Sequence, residues 1–166
     1  MTKGFTLFFA LLISSLALAI GLAIYDITVR ELQLSEAATQ SQYAIYAADT
    51  GAECALYWEN KYVANGGTSS AFATSSADTQ YAVSGVICSG QDIAAAAVAA
   101  GTWPQTSDAN DATTTFSIAG ATTAAPCSVV YVYKSGNPSV TTVISHGYNT
   151  CTTGPLQLER VFQVTY

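Results

Sequence analysis

Charge is what this sequence has least of. Of its 166 residues only 10% are charged, five basic against eleven acidic, for a formal net charge of −6. The five cations, Lys3, Arg30, Lys61, Lys134 and Arg160, are scattered along the chain. A protein that grips phosphates needs a clustered positive footprint, and none exists here. The sequence therefore predicts no direct contact with nucleic acid.

Histidine occurs once, at His146, beside Gly147, where a surface or turn position is the ordinary reading. No GxSxG, HExxH or P-loop run is present, and the glycines of Gly85-Val-Ile-Cys-Ser-Gly90 are spaced by strand and loop rather than as a phosphate cradle. None of the four cysteines forms a CxxC pair, which argues against zinc. Asp108-Ala-Asn-Asp111 offers oxygens to calcium but lacks the full loop spacing of a calcium hand, so it reads as a plain loop. The expectation is a protein that is not an enzyme and has no resident metal or cofactor.

Proline is missing until Pro104, and no obvious break interrupts the helical pattern between Phe5 and about Trp58. Phe5–Tyr25, FTLFFALLISSLALAIGLAIY, holds no charged residue. Some 20 apolar residues at a rise of about 1.5 Å cross the roughly 30 Å hydrocarbon layer of a membrane. The run exceeds the apolar region of a secretory signal, about 7–15 residues, and no turn follows it. From Asp26 onward Leu34, Ala37, Ala38, Ser41, Ala44, Ile45, Ala48, Ala52, Ala55 and Leu56 recur at helical spacing. Arg30, Glu31, Gln33, Gln40, Gln42 and Asp49 fall mostly off that face. One helix from Phe5 to about Trp58 would be roughly 80 Å long.

Met1-Thr-Lys-Gly4 followed by Phe5-Thr-Leu resembles the class III leader of type IV pilins and pseudopilins. The resemblance implies cleavage by a prepilin peptidase between Gly4 and Phe5, and N-methylation of Phe5. Removing Lys3 with the leader leaves four basic against eleven acidic residues, a charge of −7. Lys3 holds the leader on the cytoplasmic side, with the rest facing outward. Most members of the family carry Glu at the fifth mature position, where a buried carboxylate needs a partner; here that position is Phe9. Its absence in the family goes with minor subunits. Tyr46-Ala-Ala-Asp-Thr-Gly-Ala-Glu53 is similar to a run in the PilX-like group of minor pilins, and with the leader the likeness covers about the first 58 residues. Gly21 and its neighbouring alanines would allow close helix approach during assembly.

The expected organisation is a leader at 1–4, a membrane or filament-core helix at 5–25, its amphipathic continuation at 26–60 and a β head at 61–166. The fold class is α+β, a long helix packed on a small antiparallel sheet. In the head, 65–76 reads as a flexible loop, Gln80–Cys88 as a strand, and Asp92–Ala100 as a turn or short helix closed by Gly101. A strand is expected at Thr114–Ile118, within a stretch whose path the composition leaves open. Ser128–Lys134, Val140–Gly147 and Leu156–Tyr166 read as a three-stranded meander. Folding its first hairpin brings Cys127 to the level of Gly147–Cys151, favouring Cys127–Cys151 with Cys54–Cys88, although four cysteines allow three connectivities. Asp49 and Glu53 share a helix face without a pocket or partner that would make them catalytic.

The resemblance implies a minor type IV pilin or pseudopilin that initiates, caps or functionalises a filament. Its partners would be other pilins, the prepilin peptidase, the assembly platform and membrane lipid. The competing expectation is a membrane-anchored extracytoplasmic binding module outside any filament.

Overall fold

The structure is a computed structural model. It describes residues 3–61, 70–75, 78, 81–108, 110–136 and 138–166, without the side chains of 3, 4 and 105–108. The leader residues 1 and 2, half of the expected loop at 65–76 and the start of the expected strand at 80 lie outside the described residues. Two compact units divide between Thr39 and Gln40. Helix α1, Lys3–Lys61, contributes to both.

In the first unit the described side chains of the helix are exposed apart from half-buried Val29, with Leu7 at 66%, Leu16 at 61% and Leu34 at 71%. It is long and apolar enough to cross a membrane, by length and composition. Where the uncharged run ends, Asp26 and Arg30 pair at 3.1 Å across one helical turn. Ser14 and Ser15 donate their hydroxyls to Leu11 O and Leu12 O at 3.0 and 2.9 Å. Both serine hydroxyls inside the apolar run are thereby satisfied by the helix itself.

The second unit is an α+β layout. Its main sheet runs in sequence order, β3 (Gln105–Asp108), β4 (Asp111–Ile118), β5 (Cys127–Ser135), β6 (Val140–Tyr148) and β7 (Glu159–Thr165), every pair antiparallel. A separate hairpin, β1 (Ile87–Cys88) and β2 (Gln91–Asp92), turns through Ser89-Gly90, both at positive φ, 49° and 76°. Two left-handed residues in a two-residue loop match the natural twist of a hairpin. Helix α2, Ile93–Ala99, follows at once, capped by the Asp92 side chain.

Strict alternation decides which side of the sheet is dry. Ala112, Thr114, Phe116 and Ile118 of β4, Ser128, Val130, Val132 and Lys134 of β5, and Thr141, Val143 and Ser145 of β6 are all buried. Against this face lie Ala44, Ala48, Ala52 and Ala55 of α1, each at most 2% exposed. The contact is closest at two glycines. A Cβ on Gly51 would sit 2.8 Å from Val130 Cγ2 and 2.9 Å from Ser128 Oγ. One on Gly147 would strike the α1 backbone at Ala44 and Ala48. Beyond the alanine face the space is filled by Phe72, Trp103 and Phe116, whose ring centroids lie 5.0 to 6.0 Å apart.

Several expectations need correction. The packing face is narrower than the periodic pattern suggested: Leu34, Ala37 and Ala38 are exposed, and Ile45 is 49% exposed, one position out of phase with Ala44 and Ala48. Gln40, read as off that face, accepts a hydrogen bond from Asn149 Nδ2 at 3.0 Å. The strand expected over 80–88 is confined to Ile87–Cys88, because the preceding residues bond to the loop and not to a sheet: Ala82 N–H donates to Ala71 O. Ala71, Phe72 and Ala73, inside the expected flexible loop, are buried core. The meander has five strands, not three. β7 begins only at Glu159, and Leu156 ahead of it is 84% exposed.

Candidate functional site

Phe5, Phe9 and Gly21, the residues that bear on assembly, all lie on the exposed first unit of α1. Phe5 and Phe9 are 68% and 53% exposed, with ring centroids 5.7 Å apart, one turn from each other. A Cβ added at Gly21 would meet nothing within 4 Å. The backbone at Gly4 is helical, and its side-chain surroundings lie outside the described residues.

The cysteines pair as Cys54–Cys88 and Cys127–Cys151. The first bridge ties α1 to the β1–β2 hairpin next to its turn. The Trp58 indole N–H donates to Ile87 O at 3.2 Å beside it. Gln91 holds the hairpin from the other side: its Nε2 donates to Ala119 O at 2.7 Å and its Oε1 accepts from Ala119 N at 3.2 Å. The side-chain amide thus imitates a strand partner at the end of β4. The second bridge fastens the start of β5 to the loop after β6.

This clamped hairpin tip stands between two open depressions beside α1. One, about 390 Å³, is walled by Tyr43, Tyr46 and Thr50 on the helix and by the chain around Gly120 and Pro126. The other, about 450 Å³, is walled by Glu53, Tyr57 and Trp58 opposite Ile87. Of the two carboxylates paired by spacing, Glu53 lines the second depression and Asp49 is in neither wall; among the described residues neither has an ion pair.

Sequence reasoning missed a buried polar cluster. Lys134 Nζ lies 2.7 Å from Glu59 Oε1 and donates to Ser70 Oγ at 2.7 Å, while Ser70 donates to Glu59 Oε2 at 2.6 Å. The Lys134 side chain is only 3% exposed. The signal was present: Lys134 falls in phase with Ser128, Val130 and Val132, the dry positions of β5. Lys134 on β5 reaches Glu59 on α1 across the dry face of the sheet, so the arrangement is a clamp between the two elements. The Tyr166 hydroxyl feels the same carboxylate; burial and the Glu59 charge push its pKa up from 10.0 to about 12.

On the opposite side of the sheet His146 Nδ1 contacts Glu159 Oε1, and the Tyr148 hydroxyl donates to the same oxygen at 3.3 Å. Tyr131 meets the His146 ring edge-on at 5.5 Å. Burial, then the Glu159 charge, raises the Tyr148 pKa. His146 thus lies within the strand expected over Val140–Gly147, partly exposed on the face of the sheet away from α1. Of the 108–111 loop, Ala109 and the Asp108 side chain lie outside the described residues, and no group of three or more metal-ligating side chains occurs among the described ones.

Compared with protein-family models, curated proteins and solved structures, the chain has no significant match in any of the three.

Proposed function

We propose that this chain is a minor type IV pilin or pseudopilin, a membrane-held subunit that joins and helps initiate, cap or functionalise a filament. The observation that carries the reading is the uncharged run Phe5–Tyr25 directly after Lys3-Gly4, on a helix whose later turns lie small-residue side down on an antiparallel sheet. A short basic leader ending in glycine gives a peptidase an unhindered backbone at the membrane face. An apolar helix without a charge is stable in lipid before assembly and among neighbouring helices afterwards. Phe9 demands no partner in either place, which favours a minor over a major subunit.

The test is processing. Mass spectrometry of the membrane fraction should find the wild-type chain starting at a methylated Phe5, and Gly4→Val should remain full length. A wild-type chain found uncleaved, or a variant cleaved like it, would remove this reading. The competing reading, a membrane-anchored binding module outside any filament, rests on the same helix. A cysteine placed by Phe9→Cys separates the two: cross-links to other leader-bearing helices belong to a filament subunit, and their absence to an isolated anchor.

A further inference from the structure

The grooved side of α1 combines three properties. It is aromatic and open: Tyr43, Tyr46 and Tyr57 are 48%, 66% and 56% exposed along it. It carries a carboxylate: among the described residues Glu53 is the one charged side chain in either wall. It is rigid, because the hairpin forming the opposite wall is fixed by Cys54–Cys88, by Trp58 and by Gln91. From these we infer that the groove is a docking site for a lysine- or arginine-bearing segment of a partner protein.

Charge complementarity selects the occupant. Between residues 40 and 166 the chain has three basic residues, Lys61, Lys134 and Arg160, against eight acidic ones. Lys134 is buried in its pair with Glu59, and Arg160 Nε donates to Ser41 Oγ at 2.9 Å. Among the described residues neither depression has a basic side chain in its wall, and exposed Lys61 stands one turn beyond Tyr57, outside both. A cation laid between Glu53 and Tyr57 gains a carboxylate and a ring face from successive turns, the geometry that favours cation–π contact.

Length selects a polypeptide. The two depressions share Thr50 and Ser89, so they form one track around the hairpin tip. From Tyr43 to Tyr57 the helix advances about 21 Å, which an extended chain covers in roughly six residues. A second copy of this chain fits poorly, since it brings few cations of its own. The inference uses the head alone and is independent of the filament reading.

The experiment uses the full chain in detergent micelles and a fluorescein-labelled ten-residue peptide of alternating Arg and Ser, followed by anisotropy. A Glu–Ser peptide of the same length is the control. The basic peptide should bind and the acidic one should not. Glu53→Gln should weaken binding about fivefold and Tyr57→Leu by a similar factor. Asp111→Asn, at the far end of β4 from the groove, should change it less than about twofold, the screened effect of one distant charge. Equal losses from Glu53→Gln and Asp111→Asn would reduce the effect to net charge and overturn the site. So would wild-type protein that ignores the peptide. Self-association lost in Glu53→Gln and not competed by the peptide would give the groove to a second copy and overturn the assignment of its occupant.

Discussion

Gly147 of β6 lies so close to Ala48 of α1 that a methyl group on the glycine would come within 2.7 Å of the alanine Cβ. The two residues define how near helix and sheet approach, and the obstruction is backbone, since the Ala44 carbonyl and the Ala48 amide also stand in the way. Gly147→Ala must therefore push the helix off the sheet. The expected cost is about 3 kcal/mol, the upper part of the usual overpacking range. Gly51→Ala meets Ser145 Oγ, Val130 Cγ2 and Ser128 Oγ, all side-chain atoms, of which serine hydroxyls can rotate away. Its cost should be about 1 kcal/mol. Denaturant melts of the two variants check the order; a Gly51 variant less stable than the Gly147 variant would contradict it.

The clamp between α1 and β5 should show the asymmetry of buried ion pairs. Lys134→Met leaves the Glu59 carboxylate facing a dry sheet, an expected loss of about 3–5 kcal/mol. Adding Glu59→Leu should restore much of it, because the stranded charge is then gone. A double-mutant cycle measures this. If the double variant is as unstable as the sum of the singles, the pair is not acting as a unit.

Alkaline stability should report on Tyr166. Its folded pKa, about 12, lies above the ordinary 10.0 because of burial and the Glu59 charge. The unfolded chain gives up that proton first, so stability is intact below pH 10 and falls as pH rises from 10 toward 12. Tyr166→Phe should flatten this part of the profile. Titration of tyrosine absorbance should lose one late-ionising ring in the variant, and an unchanged late phase would refute the assignment.

Asp92 should matter at the acid end. Gly85 N–H, at 2.7 Å, and Ala95 N–H, at 3.1 Å, hold its carboxyl below the usual 3.8. Its contribution is present above that ordinary value and lost as pH falls through the lowered one. Asp92→Ala removes the α2 cap and should cost about 1 kcal/mol near neutral pH. The difference between variant and wild type should shrink below about pH 3.8, as measured by melts across the acid range.

The parts of this fold that periodicity governs could be read directly from the sequence. α1 was visible from its uncharged run and its alanine spacing, and β5 and β6 from alternation alone. Between residues 61 and 125 the short helix after Asp92 and the strand at Thr114–Ile118 were legible, and the rest was not, because its order comes from a few large side chains. Phe72 meets Trp103 and Phe116 from a distant place in the chain, and no local pattern announces a ring that packs some 30 or 40 residues away. β3, four residues of Gln-Thr-Ser-Asp, has no apolar alternation and is a strand because β4 pairs with it. The groove was hidden for a related reason. Its wall is the short hairpin at 87–92, whose position depends on Cys54, Trp58 and Gln91 reaching across the structure. Glu53 and Tyr57 were legible as neighbours on a helix, but not as one side of a channel.

The two bridges also fix how far this molecule can be stretched. Residues 55–87 lie behind Cys54–Cys88, and 128–150 behind Cys127–Cys151. Tension applied between the chain's ends bypasses both stretches through sulfur, so neither adds length until its bridge is reduced. Under load the head therefore pays out much less chain than its residue count implies. Within residues 40–166, Cys88–Cys127 is the longest interval outside both bridges that extends before any covalent bond must give.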